Sequence, residues 1–315
     1  SQLYITSYSR DQEREADQLG IRYLGKTGYN SLAASSFLRK LERYSDLQSV
    51  IKGKGGQDGF SFFSTHPKTQ ERVATARRIA ISGQNSDQTY SGRERHLNMI
   101  NGMIFGDSPT QGFAQGRRFI HPDMGFEFKV PPGFDIINNP TEVLAVSEQR
   151  GIIIFDADSN SENLDPVSYL RSVWLQGERL QNLETITING KRAATASFQG
   201  TVRGQASEIR VVAVRWTENR FFRFMMAIPR NADADLLREY KRTTYSLKAL
   251  SEQERQEAKP QRIKVVTARA DDSVASLSAR QDFEDHSESW FRVLNGLETG
   301  EGIVTGQRYK IIVRE

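Results

Sequence analysis

The chain has 315 residues, no cysteine and only four histidines. Without cysteine it forms neither disulfides nor thiolate zinc sites, a composition that suits cytoplasm and bacterial envelope alike. No apolar run approaches the ~18 residues that a membrane-spanning helix needs. The strongest runs, "GIIIFDA" and "FFRFMMAI", are strand-length and sit among polar residues. No signal-peptide pattern opens the sequence. A strong charge of one sign is also lacking, with 43 basic against 39 acidic residues and a net charge of +4. A nucleic-acid binder gathers its excess on one face or helix, and "RRIAI" and "QGRRF" are too short for that. Neither a nucleic-acid partner nor a membrane span is therefore expected. What is present, 37% hydrophobic and 26% charged residues, is enough for real cores in two or three domains.

Three compositional regions follow one another. Residues 1–107 read as helical. "READQLGIRYL" places Ala16, Leu19, Ile21, Tyr23 and Leu24 near helical spacing, with Gly25 and Gly28 to end the helix. "NSLAASSFLRKLERY" opens on a capping Asn30 or Ser31. "KGKGGQDGFSFFS" is a loop by composition, "HPKTQERVATARRIAI" has Pro67 near a first helical turn, and "RERHLNMINGMIFG" predicts a last helix ending at Gly106. After a Gly/Ser/Pro-rich linker, residues 118–250 alternate strand-like runs with the amphipathic segments "PVSYLRSVWLQGE" and "NADADLLREYKRTTYSL". That order predicts an antiparallel sheet with helices packed on it. "SEQERQEAKPQR" reads as a charged linker, and residues 262–315 read strand, helix, helix, strand, a length small for an independent core. The fold class is thus multidomain, α and α+β.

The densest chemistry lies in "YSRDQEREADQLG". Glu13 and Asp17 are one helical turn apart and share a face, while Glu15 points elsewhere. The two carboxylates of such a pair can act differently, one binding a metal and the other orienting a histidine ligand through its ring N–H. A plain solvated helix face explains the same spacing.

"SRDQEREADQLG", then "YLGKTGYN", the "AASSFLRKLE" helix and "FSTHPKTQERV", resemble the downstream part of the HtpX-like and CAAX-prenyl-protease-like zinc metallopeptidases, most of all the BepA-like periplasmic branch. The resemblance covers about residues 1–80. In that family an HExxH helix supplies two histidine ligands and the general-base glutamate, and a second helix supplies the third ligand from an ExxxD pattern. Carried over, the resemblance implies Glu13 as the zinc ligand and Asp17 as the carboxylate that holds an HExxH histidine. Catalytic zinc takes three protein ligands and leaves a position for water, whose pKa it lowers.

The four histidines stand in "HPKTQ", "HLNMI", "HPDMG" and "HSESW", and none begins HExxH. The expectation is therefore a chain whose metal site is completed by an N-terminal segment carrying HExxH, and which is inactive alone. The resemblance also places His66 near the cleft, as a fourth zinc ligand or a substrate contact; simple packing at a helix start is the other reading. His96, His121 and His286 are expected to be structural or exposed. Glu71 and Arg72 are expected at the surface or paired with the first helix.

"FIHPDMGFEFKVPPGF" with the strands after it is similar to the PsbP-like fold. Phe221, Phe222, Phe224, Met225 and Met226 are expected as strand core, and "DADSN" as a turn. The last region resembles a LysM-like β-α-α-β module through "ADDSVASLSAR", "FRVLNGL" and "VTGQRYKIIV". The glycan-binding positions that this resemblance implies are Asp271, Asp272 and Asn295, with a packing role as the alternative. The leading expectation is part of a periplasmic or cell-envelope zinc metalloendopeptidase for protein quality control, with polypeptide substrates and peptidoglycan as a further partner. The alternative is a non-catalytic envelope binding or scaffold protein.

Overall fold

The computed structural model describes residues 10–52, 70–82, 90–147, 150–202, 204–229, 231–283 and 285–315. The chain forms two compact units, residues 106–260 and residues 1–105 together with 261–315. It is multidomain α+β, helical at its start and antiparallel in its sheets.

In the unit that joins residues 1–105 to 261–315, helix α1 spans Arg10–Lys26, α2 Leu32–Lys52, α3 Gln70–Ser82 and α4 Arg93–Ile100. The Asn30 side chain accepts the Leu32 amide and so caps α2. Ile21 of α1 is buried against Ala76 and Ala80 of α3. The small alanines, one turn apart, let the two helices approach closely.

Helix α4 stops at Ile100 rather than continuing to Gly106. Tertiary pairing overrides helical propensity here. The Gly102 amide donates to Ile263 O at 2.7 Å, Ile263 N to Met103 O at 2.9 Å and Phe105 N to Gln261 O at 2.8 Å. Residues 102–105 thereby add to the edge of a two-stranded sheet made by β12 (Gln261–Thr267) and β13 (Arg308–Arg314). Between these strands lie α8 (Val274–Ser278) and α9 (Ser287–Asn295). The strand, helix, helix, strand order is as the sequence predicts. A core of Val274, Leu277, Phe291, Leu297, Tyr309 and Ile311 fills the module. Trp290 packs outward on Tyr44 of α2 at 5.8 Å and on Phe105 at 5.9 Å. The helical part and the terminal module share one compact unit.

The second unit holds a four-stranded sheet in the order β1 (Phe113–Gln115), β2 (Arg118–His121), β3 (Phe126–Lys129), β11 (Lys248–Ala249) and a seven-stranded sheet in the order β4 (Asp135–Asn138), β5 (Glu142–Ser147), β6 (Gly151–Ser159), β10 (Arg220–Ile228), β9 (Gln205–Thr217), β8 (Lys191–Val202), β7 (Gln181–Ile188). Its central strands are β6 (Gly151–Ser159), β9 (Gln205–Thr217) and β10 (Arg220–Ile228). Strand β10 is buried on both faces. Phe222, Phe224 and Met226 meet Phe126 and Phe128 of β3 (Phe126–Lys129) and Tyr240 of α6 (Ala234–Ser246). Phe221 faces the other way, stacked on Tyr169 of α5 (Pro166–Tyr169) at 4.0 Å. The aromatic run is therefore core, each ring contributing about 1.5–3 kcal/mol of burial.

Two local expectations are corrected. "DADSN" is not a turn: Asp156 and Asp158 belong to β6, where the Arg223 guanidinium holds both carboxylates. A cross-strand cation, absent from any local pattern, keeps the strand extended. "SEQERQEAKPQR" is not linker throughout, since Glu252–Glu257 forms helix α7, fixed by a Ser251–Glu254 capping box.

Candidate functional site: an arginine-clamped carboxylate pair

Helical geometry sets Glu13, Asp17 and Ile21 on one stripe of α1, and Arg72, Ala76 and Ala80 on one stripe of α3. Packing of the two stripes brings Arg72 onto both carboxylates. Its Nε donates to Asp17 Oδ2 and its Nη2 to Asp17 Oδ1, each at 2.8 Å. The same Nη2 lies 2.8 Å from Glu13 Oε2. The planar fork of arginine suits this bidentate grip, which a lysine cannot reproduce.

The site is shielded. Side-chain exposure is 9% for Glu13, 16% for Arg72 and 17% for Asp17. Asp11, Arg14 and Glu15 on the same helix are exposed. Two carboxylates one turn apart repel, and burial strengthens that repulsion. The shared guanidinium offsets it. The Asp17 hydrogen bond is the main cause that raises the Arg72 pKa, so the clamp keeps its charge. Beside Asp17 the cleft lined by Arg14, Gln18, Thr75 and Ile79 amounts to about 10 Å³, room for a single water.

Zinc implied by the resemblance must be weighed against these residues. Among the described residues no group of three or more His, Cys, Asp or Glu side chains is gathered as a metal site. Catalytic zinc takes three protein ligands. The donor set present, two carboxylates one turn apart that share a single arginine, does not by itself fit a resident zinc ion.

His66 lies outside the described residues. Of the other histidines, His96 is exposed on α4 and His121 is buried, its Nδ1 accepting the Met124 amide at 3.2 Å. Burial lowers the His121 pKa, which keeps that nitrogen an acceptor. His286 precedes α9 with φ +58°.

In the terminal module Asp271 is exposed. Asp272 accepts from the Arg269 amide at 2.8 Å and the Ser276 hydroxyl at 3.4 Å, holding the start of α8. Asn295 is committed inside the fold: Nδ2 donates to Phe291 O at 2.9 Å and Lys310 O at 2.8 Å, and Oδ1 accepts Lys310 N at 2.7 Å. It ties α9 to β13.

Sequence reasoning put Glu13 and Asp17 on one face, and the structure places them there. It left Arg72 as one of two surface or pairing candidates. The only local signal was its third position in a helix whose alanine stripe faces α1.

Comparison with known proteins bears on the same segment. Residues 1–80 match the family model for peptidase family M48. The beta-barrel assembly-enhancing protease of Escherichia coli (strain K12) is 32% identical over 105 residues, 31% of this chain and 19% of that protein. The protein of the same description from Shigella flexneri matches at the same 32% over 105 residues. The chain thus spans about a fifth of the length of the curated relatives it matches. Among solved structures, cyanobacterial PsbP from Synechocystis sp. PCC 6803 is similar with a TM-score of 0.33 and 12% identity, over 44% of this chain and 98% of that one. LpqN of Mycobacterium tuberculosis, described as involved in cell envelope biogenesis, has a TM-score of 0.31 and 13% identity, over 40% and 83% of the two chains. Likenesses at that level carry no inference about function. The peptidase M48 match covers residues 1–80, the segment that contributes Glu13, Asp17 and Arg72.

Proposed function

We propose that this chain supplies part of a zinc metallopeptidase of the M48 type that acts on polypeptides of the bacterial envelope. One observation carries the reading: Glu13 and Asp17, on one face of α1, turn inward and are held by Arg72, within the segment that matches that family. In this reading Glu13 gives the metal a carboxylate, and Asp17 orients an imidazole. Two histidine ligands and the general base come from outside these 315 residues. Arg72 fixes both carboxylates in advance, so less conformational freedom is lost when the site is completed. Envelope quality control and a periplasmic location rest on the similarity to the beta-barrel assembly-enhancing proteases. Among the described residues no helix is long and apolar enough to cross a membrane.

The test uses this chain and a full-length protein that contains it. Dialysed against micromolar zinc, this chain should retain far less than one equivalent by elemental analysis. Stoichiometric retention overturns the shared-site reading. In the full-length protein, Glu13→Gln should lose both bound zinc and peptidase activity while melting normally. Unchanged zinc content overturns the ligand assignment. A regulatory or substrate contact at His66 predicts altered turnover in His66→Ala, and unchanged turnover removes that role.

For the terminal module we infer packing rather than glycan reading. The support is Asn295, whose side chain is engaged with Phe291 and Lys310. Sedimentation of the whole chain with purified cell wall should leave it in the supernatant. Co-sedimentation lost in Asp271→Ala would reinstate glycan binding.

A further inference from the structure

Helices α2 and α3 pack side by side, and the surface between them holds an open cleft of about 760 Å³. Its lining includes Arg39 and Glu42 of α2 and Val73, Arg77, Arg78 and Ile81 of α3. Val73, Arg77 and Ile81 succeed one another by one helical turn, a stripe about 12 Å long. The neighbouring stripe of Ala76 and Ala80 is buried, with Leu32 and Leu38 of α2 packed against it. Short side chains there bring the two helices together, and the longer side chains on either side wall the cleft.

The lining has an apolar floor and cationic walls. Ile81 is 56% exposed, and Val73 is half-buried. Arg77 and Arg78 have no ion pair among the described residues, and the Arg78 guanidinium donates to the Thr75 hydroxyl at 3.1 Å. Arg39 has Glu298 at 3.9 Å, a carboxylate that Arg43 approaches more closely at 3.6 Å. Among the described residues Glu42 alone brings a carboxylate to the lining, so positive charge is in excess there.

Arginines beside exposed apolar surface favour a ligand that carries both carboxylates and apolar side chains. The volume falls in the range of about 300–1,000 Å³ that ligand clefts occupy. A furrow between two helices accepts the side-chain ridge of a third. An extended segment fits less well. Its N–H groups would be buried against helices whose own backbone is already paired, and the lining side chains supply mostly donors. A helix satisfies its own backbone and offers only side chains. We propose that the α2/α3 cleft docks an amphipathic helix of a partner protein, its apolar ridge on Val73 and Ile81 and its acidic side chains on Arg77 and Arg78. The cleft shares no residue with the carboxylate clamp and does not depend on the peptidase reading.

The whole chain is titrated with a fluorescently labelled helical peptide of leucine, alanine and glutamate, about 14 residues long. A peptide with lysine at every glutamate position is the counter-probe, and one with a central proline breaks the helix. Fluorescence anisotropy should show the wild type binding the acidic peptide in preference to the basic one. Arg77→Glu/Arg78→Glu should weaken that binding about tenfold or more and favour the basic peptide instead. Ile81→Ser should weaken both, whereas Glu42→Gln should tighten binding of the acidic peptide. Lys129→Gln, in the other unit, should bind as the wild type does. Arg77, Arg78 and Ile81 are exposed, so these variants should melt like the wild type. Equal binding of the acidic and basic peptides, undiminished binding of the proline peptide, or equal binding by wild type and double variant overturns the proposal. So does a wild type that binds no peptide, or one whose cleft is occupied by a second copy, seen as self-association in sedimentation that Arg77→Glu/Arg78→Glu abolishes.

Discussion

Replacing Arg72 by methionine tests the carboxylate clamp most directly. The substitution keeps an unbranched side chain on the α1-facing stripe of α3 and removes the cation. Glu13 and Asp17, 9% and 17% exposed, are then left one turn apart without their shared partner. Hydrogen bonds to charged groups contribute about 1.5–3 kcal/mol each, and removing one member of a buried ion pair costs about 3–5 kcal/mol. The three contacts share one guanidinium and are not fully dry, so a loss of about 2–4 kcal/mol is expected. For a unit of this size that is roughly 5–15 °C in melting temperature. Calorimetric scans of the wild type, Arg72→Met, Glu13→Gln/Asp17→Asn and the triple variant close a thermodynamic cycle. Once the carboxylates are neutral, Arg72→Met should cost under about 1 kcal/mol. An equal loss in both backgrounds would show that the arginine acts through its stem alone, and the clamp would have no electrostatic content.

Other consequences are equally open to measurement. Asn295→Ala removes two hydrogen bonds to β13 and one within α9 and should destabilise the helical unit by about 2–3 kcal/mol in urea unfolding; a change below ~0.5 kcal/mol would return Asn295 to the pool of surface ligands. Burial first, then the charges of Lys40 and Arg93, lower the Lys310 ammonium from 10.5 to about 8. The unfolded chain then binds more protons between those two values, so stability rises with pH across that window. Lys310→Met should gain about 1–3 kcal/mol at neutral pH, an advantage that shrinks above pH ~8; a constant advantage in pH-dependent melts would contradict the shift. Gly151 has φ +106°, and a Cβ there meets Ala227 O and the Tyr240 hydroxyl. Gly151→Ala should lower the urea midpoint of the sheet unit by the equivalent of about 2 kcal/mol or more, and an unchanged midpoint would mean that β6 shifts freely.

Local chemistry made much of this architecture legible. Asn30 before an apolar stripe marks the start of α2, and the β-α-α-β order of the last region follows from its punctuation. The aromatic run at Phe221–Met226 reads as strand core because alternation sends its rings to two opposite faces. Other features were hidden because their cause is a partner far along the chain. Asp156 and Asp158 look like a turn until Arg223 arrives from β10, 67 residues away. "NGMIFG" looks helical until β12 offers it an edge to pair with.

The sequence by itself determined that Glu13 and Asp17 share a helix face, since a spacing of four residues is one turn whatever surrounds it. It also determined that no thiolate and no HExxH is available within the chain. Only the tertiary structure decided that Arg72 closes on that pair, and that Arg308 of β13 meets Glu94 of α4. Charges 55 residues apart in the one case, and more than 200 in the other, meet only after helix and strand packing has placed them, and that proximity fixes what each group can bind.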